Sequence, residues 1–482
     1  MPHLVLSSTV ARSPTPARER YGPTTMTVAG LSLRSGTVES APAIEVRPIA
    51  GRDGRWAVWV EFGEDTPSGP KGTPLSSHAS ANLAHAATVA RVEGLPLVVV
   101  LASTGSAILE GIASLEGWGR VAKALADCSG VVPTILVVDG PAVAGPALLL
   151  GIVDLVVMTA PSYAFVNGPL MVSEFTGVEI STDELGGAAR LARHTGVPSL
   201  VVDDRPAAVE AVNDLLGYLP SSADDEPDRW ASADPVDRPC PEIADVIPAT
   251  ATGSYDVRHV AARIVDEGTL LELRERWAPN VVTALATIGG RPIGIVANQP
   301  LALAGTLDIA ASQKAARFVS FCDAFNLGIL TLVDTPGFYP GKDLEWRGMI
   351  RHGAQLVFAY ARATVPRLCV ILRKSYGGAF IVMDSKRMGN DVCFAWPSAQ
   401  LAVMGAGQAA AILRRRATPD ERAAFEADYA ERLLNPYIAA ERGYVDAVID
   451  PAETRFEVAA ALEGLYDKRE LLQPRKHGNE PC

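Results

Sequence analysis

A chain of 482 residues with 48% hydrophobic and 20% charged residues has the composition of an ordinary folded protein. Its length exceeds what one hydrophobic core organises, so two domains of roughly 200 residues are expected. The formal net charge of −12 argues against a nucleic-acid-binding surface and leaves anionic substrates dependent on local positive groups. The most apolar region, 131–158, is broken by Pro133, Asp139, Pro141, Pro146 and Asp154, which is incompatible with a clean membrane span.

The N-terminal stretch carries a short apolar patch, several prolines and Arg12, Arg18 and Arg20, without the roughly 7–15-residue apolar core of an export signal. A cytoplasmic protein with a disordered segment over 1–25 is therefore expected. From Pro96 a continuous apolar run reaches Leu101 and ends in Ala102-Ser103-Thr104-Gly105. Helical sequence through Gly117-Trp118-Gly119, a second apolar run after Val132-Pro133 and a small-residue turn at Ala144-Gly145 come next. The same order returns as Ile329 to Val333, Asp334-Thr335-Pro336-Gly337, Trp346-Arg347-Gly348, Val365-Pro366 and Gly377-Gly378. Gly105 and Gly337 are 232 positions apart, and Pro133 with Pro366 and Gly145 with Gly378 are each 233 apart. A register held this closely marks an internal duplication.

Each copy reads βαβα, with strands apolar throughout and hence buried on both faces, so the fold class is α/β. Between Leu219 and Ser254 the periodicity gives way to Pro, Asp, Ser and Ala. This predicts a linker over 219–253, joining an N-terminal domain at 26–218 to a C-terminal domain at 254–482. Residues 419–472 read as helices rich in Ala, Glu and Arg that form a solvated cap, ahead of a basic polar tail.

Several signals carry no chemistry. The cysteines at 128, 240, 322, 369, 393 and 482 have neither C-x-x-C pairs nor a zinc spacing, so no metal is expected; they read as small buried hydrophobes, with Cys482 in the exposed tail as the exception. His3, His78, His85, His194, His259, His352 and His477 form no H-E-x-x-H, and no G-x-S-x-G elbow occurs. His352 reads as a packing or capping residue. Gly405-Ala406-Gly407 and Gly337 to Lys342 miss the dinucleotide and phosphate-loop spacings and read as turns.

Gly377-Gly378 follows the strand-like run Leu368 to Leu372 and precedes sequence that can be helical. Two readings are open: a tight turn that lets a helix pack closely, or backbone N–H donors aimed at a developing oxyanion. The equivalent turn of the first copy is Ala144-Gly145, with Pro146 after it, which has no N–H. Backbone donors there survive the change from Gly to Ala where φ is negative and not where it is positive.

The second half resembles the carboxyltransferase (β) subunit of biotin-dependent acyl-CoA carboxylases of the acetyl-/propionyl-CoA type. The carrying segments are Gly289-Gly290-Arg291-Pro292, Val296-Ala297-Asn298-Gln299-Pro300, Lys314-Ala315-Ala316-Arg317-Phe318, Asp334-Thr335-Pro336-Gly337-Phe338, Arg351-His352-Gly353-Ala354 and Arg373-Lys374-Ser375-Tyr376-Gly377-Gly378-Ala379. Phe394-Ala395-Trp396-Pro397-Ser398-Ala399-Gln400, Asn435-Pro436-Tyr437 and Pro474-Arg475-Lys476-His477-Gly478-Asn479 continue the match to about residue 481. The resemblance implies two tandem crotonase-like ββα-superhelix domains and a transfer of CO2 from carboxybiotin to the α-carbon of a short acyl-CoA. It implies biotin at Tyr376, Ala379, Pro336, Gly337 and Phe338, the acyl-CoA at Ser103, Thr104, Gly105 and Ile381, and oxyanion donors from Gly377, Gly378, Ala144 and Gly145.

The resemblance also implies that biotin arrives on a partner, since nothing here is similar to a biotin carboxylase or to the Met-Lys-Met site of a biotin carrier. Active sites shared between copies, in a dimer or a hexamer, follow by the same analogy. The first half is a divergent version of the family pattern. Ala102-Ser103-Thr104-Gly105-Ser106-Ala107 stands where the family runs Asp-Ser-Gly-Gly-Ala-Arg, so an acid and an arginine are missing. Two further readings therefore stay open: a biotin-dependent acyl-CoA decarboxylase, and a non-catalytic β paralogue that assembles with an active subunit.

Overall fold

The computed structural model describes residues 26–27 and 44–481, apart from positions 53, 67, 68, 249, 251, 469, 471, 475, 477 and 480. The expectations for residues 1–25 and for Cys482 lie outside these described residues.

Apolar, β-branched runs form two sheets, one from each copy of the repeat. The first sheet runs from an edge strand at Met26–Thr27 through β1 (Ile44–Pro48), β2 (Trp56–Phe62), β3 (Leu97–Ser106), β4 (Thr134–Val143), β5 (Leu155–Thr159) and β6 (Leu200–Val202). The second runs β7 (Leu271–Leu273), β8 (Val281–Ile288), β9 (Arg291–Asn298), β10 (Gly328–Thr335), β11 (Arg367–Tyr376), β12 (Val392–Ala395) and β13 (Ala447–Val448). Beyond an antiparallel start in each sheet, β2 to β6 and β9 to β13 pair in parallel. Every residue of β8 and β10 is buried, the pattern expected of strands covered on both faces.

Helices cross over between parallel strands at α1 (Ser77–Glu93), α2 (Ile112–Cys128), α4 (Ile309–Ala324) and α5 (Met349–Arg362), while α3 (Arg205–Tyr218) follows the last strand of the first sheet. Their ends obey local chemistry. Ser76 caps α1 through the Ala79 N–H, Asp308 caps α4 through the Ala311 N–H, and α1 stops at Gly94 in the left-handed region.

The two halves share a core. Val212, Leu215 and Leu216 of α3 lie in one buried cluster with Phe318, Val319 and Phe325 from the region of α4. Polar ties cross the same seam: Arg317 Nη2 donates to Val153 O at 2.8 Å, and Arg274 donates from its backbone N to Ser199 O at 2.9 Å and from Nε to Gly196 O at 2.8 Å. Gly196 is fixed by this packing, because a Cβ there would overlap the Trp277 ring.

The Pro- and Asp-rich stretch between the sheets is held against both. Trp230 packs on Tyr218 at 4.6 Å between ring centroids, lies under the Arg52 guanidinium, and donates its backbone N–H to Gly290 O at 2.6 Å. One aromatic anchor with backbone hydrogen bonds orders a segment that has no hydrophobic period. Residues 419–472 are largely helical, led by a helix at Pro419–Tyr429, which Thr418 and Glu421 cap reciprocally. No helix among the described residues is long and apolar enough to cross a membrane.

Candidate active site

Both copies of the repeat contain the same irregularity at the same place. Along the β3–β4 pair, Leu101 faces Val138 and the next partners are Ser103 and Ala142. Along β10–β11, Val333 faces Ile371 and the next partners are Thr335 and Ser375. In each pair one strand advances two residues while the other advances four, a bulge that bends the longer strand and re-aims its exit. The longer strand leaves its bulge into Ala144-Gly145 in one half and into Gly377-Gly378 in the other.

The companion loops match as well. Gly105 N donates to Ser103 Oγ at 3.2 Å, and Gly337 N donates to Thr335 Oγ1 at 3.3 Å. Gly105 and Gly337 both need positive φ, at 108° and 142°. Ser103-Thr104-Gly105 and Thr335-Pro336-Gly337 are thus one turn built twice, each beside its bulge. Ser103 is buried and Thr104 exposed, whereas Pro336, Gly337 and Phe338 are half-buried.

The two reactive-turn candidates differ in what they leave free. Gly377 has φ 61°, and a Cβ there would also sit 3.2 Å from Val403 O. Gly378 is exposed and faces the Phe338 ring, which a Cβ would meet at 3.6 Å. Ala379 is fully buried behind the turn. Ile381, 41% exposed, stands in the same short helix, α6 (Gly377–Val382). The Tyr376 hydroxyl bonds Gln400, and burial pushes its ionisation up.

In the first half Ala144 occupies φ 59°, ψ −138°, and donates its N–H to Phe165 O at 3.0 Å. This turn thus realises the positive-φ case, and the Ala144 N–H is already engaged. Gly145 comes next and opens a 3-10 segment, Gly145–Gly151, with Pro146 as its second residue.

Asp334 is a residue that the motif reading quoted without assigning it a task. Its carboxylate, 1% exposed, fills the β10–β11 bulge. Oδ2 accepts from Tyr255 Oη at 2.9 Å and from Arg373 Nε at 3.0 Å, and Oδ1 accepts the Lys374 backbone N–H at 3.1 Å. Arg373 Nη1 continues to Thr250 O at 3.1 Å. Burial, then the Tyr255 contact with Asp334, hold the phenol far above its ordinary range. The first half has Ala102 opposite Gly140-Pro141 at the corresponding place, and Pro141 offers no N–H that a carboxylate would need to satisfy.

His352 Nδ1 lies 3.2 Å from Gln313 Nε2 and 3.0 Å from Gln355 Oε1. Cys128, Cys240, Cys322, Cys369 and Cys393 are buried free thiols. No group of three or more His, Cys, Asp or Glu residues suited to a metal ion occurs among the described residues.

A duplicated α/β fold with paired turns at equivalent strand ends is the architecture of crotonase-type carboxyltransferases. The chain belongs to the carboxyl transferase domain family, whose model matches residues 51–480. It is 45% identical over 407 residues to the propionyl-CoA carboxylase beta chain of Saccharopolyspora erythraea, covering 80% of this chain and 74% of that one. The methylmalonyl-CoA carboxyltransferase 12S subunit of Propionibacterium freudenreichii is 43% identical over 399 residues, covering 82% and 76%. The fold superposes on a transcarboxylase 12S crystal structure, a hexamer with methylmalonyl-coenzyme A and methylmalonic acid bound, with TM-score 0.86 and 38% identity over 93% of this chain and 86% of that one.

Proposed function

We propose that this chain is the carboxyltransferase subunit of a biotin-dependent acyl-CoA carboxylase, with the acyl-CoA in the 26–218 domain and biotin in the 254–482 domain. The observation that carries the reading is the doubled bulge and turn: one ancestral oxyanion-type turn now stands in each half, so a single chain offers a place for each of two carbonyl-bearing substrates. The biotin ureido oxygen fits the exposed Gly377-Gly378 turn, with Phe338, Pro336 and Gly337 as its wall and Tyr376 at its edge. The thioester oxygen fits the Gly145 N–H, with Ser103-Thr104-Gly105 alongside.

The carboxyl group and a basic nitrogen both come with biotin, so the chain's task is to hold two carbonyl oxygens and exclude water. Fixed N–H donors at a developing oxyanion lower a barrier by about 3–4 kcal/mol per donor. Ile381 presents an exposed apolar side chain on the helix that opens at the biotin turn, which favours a short aliphatic acyl group.

Biotin arrives on a carrier subunit, and a second copy of this chain completes the site. The second-copy reading is supported by large apolar side chains left in solvent on both halves, including Leu109 and Phe175 in the first and Trp346 and Ile350 in the second. The purified chain tests the reading in reverse, with free biotin and either malonyl-CoA or methylmalonyl-CoA. Release of acetyl-CoA or propionyl-CoA supports it and ranks the acyl chains; silence from a folded oligomer with both substrates rejects it. Engagement of the Ala144 N–H favours one competitor, a non-catalytic paralogue, and that silence is the result it expects.

A further inference from the structure

We propose that Trp118 is a catalytic residue of the first half, its indole N–H completing the hole for the acyl thioester oxygen. This rests on the placement of the acyl-CoA at the Ala144–Gly145 turn.

Backbone donors run short at that turn. The Ala144 N–H is spent on Phe165 O, and Pro146 has none. Gly145 alone remains, where an oxyanion is held best by two donors or more. Trp118, from α2, lays the edge of its five-membered ring on Gly145: a Cβ built on that glycine would fall 2.8 Å from Nε1 and 2.8 Å from Cε2. Nε1 is buried and has no hydrogen-bond partner. An indole nitrogen only donates, so no rotation turns it into an acceptor for a neighbouring N–H. A buried donor left without an acceptor is uncommon enough to need a reason. A ligand oxygen seated on the Gly145 N–H supplies one.

The second half provides the comparison within the molecule. Its equivalent glycine, Gly378, is faced by Phe338, a ring with no polar atom, and Ala379 rather than a proline stands after the glycine pair. The ring that carries a donor therefore stands in the half that has lost backbone donors. The first turn is a repaired site, in which an indole replaces a peptide N–H.

The test uses the intact oligomer labelled with 15N at its tryptophan indoles, with propionyl-CoA as the probe and biotin left out so that no turnover occurs. The Trp118 resonance, identified by its loss in Trp118→Phe and again in Trp118→Tyr, is expected to move downfield as propionyl-CoA saturates. In the carboxyl-transfer assay Trp118→Phe keeps a ring on Gly145 and loses the donor. It is expected to lower kcat about 10²–10³-fold while leaving the KM for biotin and the thermal midpoint unchanged. Wild-type kcat in Trp118→Phe, or an unmoved resonance at saturation, would overturn the proposal while leaving the substrate placement intact. A wild-type protein that neither binds nor turns over the acyl-CoA sinks the placement itself, and this proposal with it. If Trp118→Phe fails to fold, the resonance of the native protein decides, with Trp118→Tyr supplying the assignment.

Discussion

Two residues at matching positions share a positive φ and obey different rules. Gly377 at φ 61° is a glycine where glycine belongs, while Ala144 at φ 59° holds the same φ with a Cβ, at a cost of roughly 1–3 kcal/mol. Gly377→Ala adds that penalty and presses on Val403 O, so a stability loss of about 1–3 kcal/mol is expected in urea titrations. Gly378 lacks a positive φ and meets only ordinary contact with Phe338, so Gly378→Ala is expected to fold like the wild type and keep its N–H donor, whereas Gly378→Val, whose branched side chain blocks the approach to the turn, is expected to lose carboxyl transfer. Sequence alone could name both glycines and state what a positive φ at Ala144 would mean. It could not supply the sign, which is set by the bulge upstream and by the Phe165 carbonyl brought in from another strand.

Lys314 carries a residue-scale prediction of its own. Its ammonium is buried and donates to Trp277 O at 2.9 Å, and burial lowers its pKa to about 7. Glu272 and Glu275 oppose that shift, while Arg274 and Arg258 add to it. The unfolded chain keeps lysine protonated up to its ordinary range, so between about pH 7 and that range the unfolded state binds the extra proton. Stability therefore gains from this group as pH rises through that window, and a penalty remains below it. Urea midpoints compared at pH 7, 8 and 9 should show the rise, and Lys314→Met should flatten it.

At the scale of elements, the apolar runs and capping residues announce the strands and helices, and the 232–233 offset announces that they come twice. The bulges are another matter, because two extra residues on β4 and on β11 leave no mark in an apolar pattern. Asp334 was visible inside its motif, yet its partner Arg373 lies in another strand and Tyr255 sits beyond the Pro- and Asp-rich stretch. The pairing exists only once β10 and β11 are side by side. Removing one member of a buried ion pair strands the other, at about 3–5 kcal/mol. Asp334→Asn keeps the shape and loses the charge, so it should destabilise the fold and raise the KM for biotin, since the Lys374 N–H and the turn after it lose their anchor. Asp334→Asn combined with Arg373→Met should recover part of the stability without recovering the KM. Equal recovery of both would show that the pair serves the fold alone.

The described residues place two matching turns on two sheets joined by one core. That arrangement was legible as a duplication with a divergent first copy. The seam was not, because Arg317, Arg274 and Gly196 meet across it through backbone carbonyls that no side-chain pattern encodes. Apolar surface left on both halves points to a second copy of the chain. Sedimentation is expected to show an oligomer that Leu109→Asp with Phe175→Asp dissociates; an unchanged oligomer would move the interface elsewhere.

In the proposed function one half holds each substrate, and a working site takes its halves from two copies. The most direct test is complementation between Gly145→Val and Gly378→Val proteins, each first confirmed as a folded oligomer, in the reverse reaction with free biotin and methylmalonyl-CoA. Each variant alone should be silent, and mixing under conditions of subunit exchange should restore propionyl-CoA release, because some sites then pair an intact first half with an intact second half. A mixture that stays silent while the wild type turns over, or either variant active on its own, would contradict the account.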